Sequence, residues 1–302
     1  MAHSATSGGR MLPVLGILGA ATLWGLFWWP LRRFEEAGVH GLWATLAIYL
    51  VALTAASPWL WQRRRLLLSH PRTSLSLALF SGWCNLAFIL AVLEGSVVRV
   101  LLLFYLSPVW AVLLGRVVLR ERIDPASWLV LLAAITGGVV MLYRPEMGAL
   151  WPLQRADWLA LTSGMSFAAA NTLIRGAGGM DLMAKMIATL IGCCLVAAAG
   201  LVLVGPQPPQ LDPALTLGLV VVGVAILIMT LLTQYGVSHL PLHRSSILML
   251  FEIVVGAVSS WLLAGEGIGA REWAGGCLIL LAAFFFAWRQ REEGEAPLQR
   301  GW

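Results

Sequence analysis

The sequence predicts an all-α integral membrane protein of ten transmembrane helices, arranged as two inverted five-helix repeats, on three observations. The 302-residue chain is 59% hydrophobic and 12% charged, with a mean hydropathy of +0.83, whereas an ordinary globular domain is about 45–50% apolar and about 25% charged. Its apolar residues gather into ten runs close to the roughly 20 residues that cross a bilayer. The second half repeats features of the first at an offset of 145 residues.

Span 1, residues 12–31, follows a short polar start and carries Trp24, Trp28, Trp29 and Pro30 without a small-residue cleavage site, so it reads as a retained helix and not a signal peptide. Spans 2 and 3 fall at 40–61 and 74–93, and span 4 at 97–119. Pro108 lies mid-way along span 4, where it deletes one backbone hydrogen bond and crowds the carbonyl one turn earlier; a kink is expected there. The freed carbonyl is either a substrate contact or part of a static bend. Span 5, at 127–143, follows Asp124-Pro125, which reads as an N-cap and a first-turn proline. Spans 6, 7 and 8 fall at 157–176, 182–204 and 214–235, with Asp157, Asp181 and Asp212 at span ends. Span 9, at 245–264, holds Glu252, and span 10 covers 272–288. The connections, of roughly 3 to 13 residues, are too short for a soluble domain. All four cysteines (Cys84, Cys193, Cys194 and Cys277) fall within spans without metal-ligand spacing and read as reduced packing residues.

The net charge of +5 has a topological explanation. With the N-terminus in the cytoplasm, the inner segments carry 14 of the 20 Lys and Arg, including Arg63, Arg64, Arg65 and Arg72, and the outer segments carry Arg32, Arg33, Arg99, Arg144, Arg155 and Arg271. The positive-inside rule then places both termini in the cytoplasm, and no nucleic-acid partner is needed to explain the basic pI.

At the 145-residue offset, Leu119-Arg120-Glu121-Arg122-Ile123 falls on Ala264-Gly265-Glu266-Gly267-Ile268, Arg99 meets Arg244, Trp128 meets Trp273, Arg144 meets Arg289 and Gly19 meets Gly164. The repeats are expected at 1–145 (spans 1 to 5) and 146–290 (spans 6 to 10), with 291–302 a polar cytoplasmic tail. Five spans per repeat force the second copy to enter from the opposite face. Two such halves give similar energies to inward-open and outward-open states, the usual architecture of secondary transporters.

Trp24-Gly25 in span 1, Leu106-Ser107-Pro108-Val109-Trp110 running to Leu119-Arg120-Glu121-Arg122 in span 4, and Leu250-Phe251-Glu252 running to Leu263-Ala264-Gly265-Glu266 in span 9 carry a resemblance. The chain resembles the EamA-type branch of the drug/metabolite transporter superfamily over nearly its whole length. The resemblance implies a ten-helix exporter in the bacterial inner membrane, with a central cavity lined by spans 1, 3, 4, 6, 8 and 9 and with spans 5 and 10 at the periphery. Ile253 stands where such proteins often have proline, which leaves the bend of span 9 open.

Candidate site residues follow from polar and aromatic positions at helical spacing. Span 3 aligns Ser81, Asn85 and Phe88; span 6 aligns Gly164, Phe167 and Asn171; span 8 aligns Thr230 and Gln234; span 9 aligns Met249, Glu252 and Gly256. Trp24 and Trp28 lie one turn apart, and Tyr105 lies close to Pro108. A substrate site of Trp24, Trp28, Asn85, Phe88, Tyr105, Pro108, Phe167, Asn171, Gln234 and Glu252 would have aromatic walls and a few amide and carboxyl groups, suited to an amphipathic solute such as an amino acid. The bland alternative is interhelical glue for the amides and belt anchoring for the tryptophans.

Glu252 is the one acid well inside a span; a carboxylate there must face water, find a partner or carry a proton. It binds a substrate amine, carries a coupling proton, or ties helices together. Glu121 and Glu266 read as helix-end devices. Arg99 and Arg244 read either as snorkelling residues or as gates that attract anionic groups at the two mouths, with Glu94 a partner for Arg99.

The expected function is export of small metabolites, foremost aromatic or bulky hydrophobic amino acids, by alternating access around a midplane cavity, as in the YddG-type aromatic amino-acid exporters that the chain resembles. A multidrug or lipophilic-cation extruder is the competing reading. A membrane-embedded enzyme is remote, because no paired acids, metal set or H-E-x-x-H pattern occurs. No catalytic residue, metal or cofactor is expected, and no phosphate-binding glycine loop occurs, so ATP is not the direct energy source; transport is either coupled to protons or follows the substrate gradient.

Overall fold

The computed structural model describes residues 8–118, 129, 132–133, 135–137, 139–140, 154–176, 180–239, 248–249, 251–271, 273–278, 280–281 and 284–285. Every regular element among the described residues is a helix: α1 (Gly8–Leu26), α2 (Trp28–Glu36), α3 (Gly41–Ala55), α4 (Ser57–Ser69), α5 (Pro71–Glu94), α6 (Val97–Phe104), α7 (Ser107–Val118), α8 (Arg155–Gly176), α9 (Leu182–Val204), α10 (Pro213–His239) and α11 (Phe251–Ala264). Helical residues also occur within predicted spans 5 and 10. Leu12–Glu36, Pro71–Glu94, Leu182–Val204 and Pro213–Thr233 are each long and apolar enough to cross a membrane. The exterior is apolar as well: Val202 and Leu203 are both 86% exposed, as lipid-facing side chains must be.

Local chemistry explains several element ends. Asp181 caps α9, its Oδ1 accepting from the Ala184 N–H at 2.8 Å, and Gly205 ends that helix at φ +63°, a conformation costly for any residue with a Cβ. Asp212 Oδ1 accepts from the Leu215 N–H at 2.7 Å at the start of α10. Span 4 breaks as expected, into α6 and α7 with turn residues Tyr105 and Leu106 between them, just before Pro108.

Span 2 departs from the expectation. Its helix does not run to residue 61 but bends by 87° after Ala55, and α4 leaves along a new direction with no buried residue. Trp59, Leu60 and Trp61 continue the apolar run but lie beyond the bend. α11 shows no break at Ile253, which is buried within it. Cys84, Cys193 and Cys194 are buried as expected, whereas Cys277 is exposed and not a core packing residue.

The main packing joins the two halves. α5 packs on α8 and α1 on α10; α5 packs on α9 and α3 on α10; α6 and α7 pack on α8, and α1 on α11; α3 packs on α9. With the first span matched to the sixth, the second to the seventh and so on, each of these pairs has its counterpart in the other half. The ends obey the same inversion. Arg32, late in span 1, meets the Gly95 carbonyl just past α5, and Arg99, near the start of α6, meets Asp157 near the start of α8. Span 1 therefore ends on the face where span 6 begins, and these two helices run in opposite directions.

Small residues set the helix spacing. A Cβ on Gly192 of α9 would overlap the Ala78 carbonyl of α5, and one on Gly82 would overlap Gly192 in return. Gly192→Leu is expected to cost about 2 kcal/mol or more through overpacking, read as a lower unfolding temperature in detergent; an unchanged temperature would show that α5 and α9 are not in this contact.

Candidate functional site

The break in span 4 organises the centre. Pro108 has no N–H to give the Phe104 carbonyl, and α8 approaches that oxygen so closely that a Cβ on Gly164 would lie 2.6 Å from it. The freed carbonyl is thus packed against α8. The turn also projects Tyr105 toward α11. Its hydroxyl lies 2.9 Å from Glu252 Oε2 and 3.1 Å from the Met249 carbonyl oxygen. One phenolic O–H faces two acceptors, so Tyr105 can donate to a Glu252 carboxylate, or donate to Met249 while accepting from a protonated Glu252. The pair can gain or lose a proton without losing its hydrogen bond.

A chain of aromatic rings leads away from this pair through Phe104. Phe104 is edge-on to Phe88 at 5.3 Å and to Tyr105 at 5.6 Å, and tilted against Phe167 at 5.3 Å between centroids. Phe88, Tyr105, Phe167 and Glu252, expected from spans 3, 4, 6 and 9, are therefore brought together. Phe104, which joins them, escaped the sequence reading because it sits in an unbroken apolar run. On the α1 side, Gly25 lets the helix come close to Glu252: a Cβ there would lie 2.7 Å from the Glu252 carbonyl oxygen.

From this centre, closures stack along spans 1 and 9 toward one mouth. Trp28 Nε1 donates to Ser259 Oγ at 2.9 Å, about two turns along α11 from Glu252. The Arg32 guanidinium lies 5.0 Å over the Trp28 ring. Arg32 Nη1 pairs with Glu266 Oε1 at 2.7 Å, Nη2 donates to the Gly95 carbonyl at 2.7 Å, and Nε donates to the Val92 carbonyl at 3.1 Å. Glu266 Oε2 accepts from the Val97 N–H at 2.9 Å and from Ser96 Oγ at 3.1 Å. Glu266 thus is a helix-end device, but the end it caps is that of α6 in the opposite half, a partner 169 residues away.

Arg99 does not reach out as a snorkelling residue would: it is 7% exposed and forms a bidentate pair with Asp157, itself 1% exposed, at 2.7 and 3.1 Å. Glu94 pairs instead with Arg155, at 3.5 Å. A polar vestibule of about 360 Å³ opens beside these groups, lined by Glu94, Ser96, Arg99 and Gln154, and an apolar cleft of about 210 Å³ lies between α1, α2 and α10; neither is lined by Tyr105 or Glu252.

Other expected residues take different places. Asn85 is tied to its neighbours: Tyr49 of α3 donates to Asn85 Oδ1 at 2.6 Å, and Asn85 Nδ2 donates to the Ser81 carbonyl at 2.9 Å. This is the interhelical glue reading, and nothing in the sequence marked Tyr49. Asn171 is exposed, Thr230 bonds back to the Ile226 carbonyl at 2.8 Å, and Trp24 is half-buried edge-on to Phe27 at 5.6 Å. The side chains of Pro108 and Gln234, and all of Arg244 and Glu121, lie outside the described residues.

The model of the EamA-like transporter family matches the chain twice, at residues 11–143 and 154–288. The chain belongs to the EamA-like transporter family. It is therefore a multi-pass membrane transporter of the drug/metabolite transporter superfamily. Among the relatives of this EamA-like transporter, Protein RarD of Streptomyces exfoliatus is 26% identical over 304 residues, covering 92% of each chain. An uncharacterized transporter, PA0485, of Pseudomonas aeruginosa is 26% identical over 174 residues, covering 54% of each. A solved crystal structure superposes with a TM-score of 0.59 at 15% identity over 92% of this chain and 99% of the other, a likeness of fold alone.

Proposed function

We propose that this EamA-like transporter exports small amphipathic metabolites, foremost aromatic or bulky hydrophobic amino acids, across the bacterial inner membrane with both termini in the cytoplasm. The two halves, at 1–145 and 146–290, rock about a midplane site centred on Tyr105 and Glu252. The Tyr105–Glu252 pair, with Phe104 against Tyr105 and Phe88 and Phe167 against Phe104, carries this reading. The rings stack on an apolar side chain while the carboxyl takes the amino group or a coupling proton. The paired packing of helices across the halves supports alternating access, because each contact that opens on one side has an equivalent that closes on the other.

Counterflow into proteoliposomes, with labelled tryptophan, phenylalanine, leucine and a lipophilic dye, measured with and without a pH gradient, tests the proposal. Saturable exchange of the aromatic amino acids is expected. Exchange of the dye alone would favour the drug extruder, and exchange of none of them would remove the substrate assignment.

The Arg32–Glu266 bridge, Trp28–Ser259 below it and the Arg99–Asp157 pair close the outer mouth in this conformation, so Arg99 acts as part of a lock and not as a lure for anions. Glu266→Gln removes the charge that holds Arg32 across the halves. In a Cys277→Ser background, S259C is expected to react slowly with an externally added impermeant maleimide, and several-fold faster once E266Q is added; equal rates would remove Glu266 from the gate.

A further inference from the structure

We infer that α4 is a docking surface for anionic phospholipid headgroups in the leaflet it faces. The 87° bend after Ala55 turns the chain from the direction of a crossing helix to that of the membrane surface, and none of the helix's thirteen residues is buried. α4 rests on α5 and α9. Its outward stripe is Trp61, Arg65 and Leu68, at positions i, i+4 and i+7, with Trp61 70% and Leu68 77% exposed. A tryptophan and a leucine flanking an arginine on an open face suit the boundary between acyl chains and headgroups, where the rings and alkyl groups sink and the guanidinium reaches phosphate.

Among the described residues, the charge on this helix has an acidic partner at one position. Arg63 pairs with Asp181, the cap of α9, and α4 itself contains no acid. Arg64 lies 3.4 Å over the Trp61 ring, and its Nη1 is shielded from water with no hydrogen-bond acceptor among the described residues. A shielded donor left unmade is costly, and a rotation of the guanidinium off the exposed Trp61 ring would bring that donor to a phosphate oxygen at the surface. Arg65 is exposed next to it, and Arg72 follows at the start of α5. The chemistry selected is a phosphodiester with a net negative charge held at the depth of an interfacial tryptophan, which phosphatidylglycerol provides and phosphatidylcholine does not.

The full chain in detergent, titrated with short-chain phosphatidylglycerol, short-chain phosphatidylcholine or glycerol 3-phosphate, tests this through native mass spectrometry of retained lipid and the unfolding temperature. Each basic residue near an anionic surface contributes about fivefold in partitioning. The native chain is expected to retain phosphatidylglycerol over phosphatidylcholine, R64Q/R65Q to lose that preference by roughly tenfold or more, and R64K/R65K to keep most of it. Arg33→Gln, on α2, is expected to leave it unchanged. Equal retention of both lipids, an undiminished preference in R64Q/R65Q, or glycerol 3-phosphate binding as tightly as the lipid would each overturn the assignment. The unfolding temperature without lipid shows whether R64Q/R65Q is folded, and if it is not, R64Q alone carries the comparison.

Discussion

Glu252→Gln is expected to abolish either counterflow itself or its response to a pH gradient, while leaving the protein folded and its unfolding temperature close to native. Glutamine keeps the shape of the side chain and can still accept from the Tyr105 hydroxyl at the 2.9 Å contact, but it can neither bear a charge for a substrate amine nor take up a proton. Which of these two it loses is separable. If Glu252 binds the amine, E252Q fails in exchange at every pH; if it carries the coupling proton, E252Q retains exchange at equal pH on both sides and loses only the response to a pH gradient. Tyr105→Phe removes one hydrogen bond to an ionisable group and is expected to slow transport by about tenfold, with part of that loss in the pH response. Full, pH-dependent transport by E252Q would take the carboxyl out of the mechanism and leave it as a tie between α6 and α11.

Arg99→Gln is expected to be among the most destabilising single substitutions in the chain. It strands Asp157, 1% exposed, without its bidentate partner, and breaking one side of a buried pair costs about 3–5 kcal/mol. Asp157→Asn is expected to cost a similar amount. The double substitution R99L/D157L removes both charges from a site flanked by Val98, Val100 and Leu159 and is expected to recover much of the lost stability, because a buried ion pair often contributes little over apolar residues of similar volume. The unfolding temperature of the four proteins in detergent makes the comparison. Single variants as stable as the native chain would mean that water reaches the pair and that the outer mouth is not closed there.

Crossing segments were legible because the bilayer leaves a direct mark on composition: α5, α8, α9 and α10 lie within a few residues of the predicted apolar runs. The break of span 4 was legible because proline chemistry is local. The turn of α3 into α4 was not, since hydropathy treats Trp59, Leu60 and Trp61 as more of the same run, and only the arginines after them hint that the helix changes direction. The site was legible where it depends on one residue's cost, as at Glu252, or on helical spacing, as at Phe88 and Phe167. It was not legible where two distant residues satisfy one another. Arg99 and Asp157 are 58 residues apart and Arg32 and Glu266 are 234 apart, so each looked like a separate span-end charge until the halves were placed together. Asn85 misled for the converse reason: its spacing fits a cavity stripe, yet Tyr49 claims its carbonyl oxygen.

Locking the outer mouth tests the rocking of the two halves most directly. With Cys277 replaced by serine, cysteines introduced at positions 32 and 266 are joined by a short reducible bifunctional reagent, and counterflow is measured before cross-linking, after it and after reduction. Exchange is expected to stop on cross-linking and return on reduction, while chains modified at either position alone keep transporting at their own basal rate. Undiminished exchange through the cross-linked protein would contradict a mechanism in which the substrate leaves by parting these two halves.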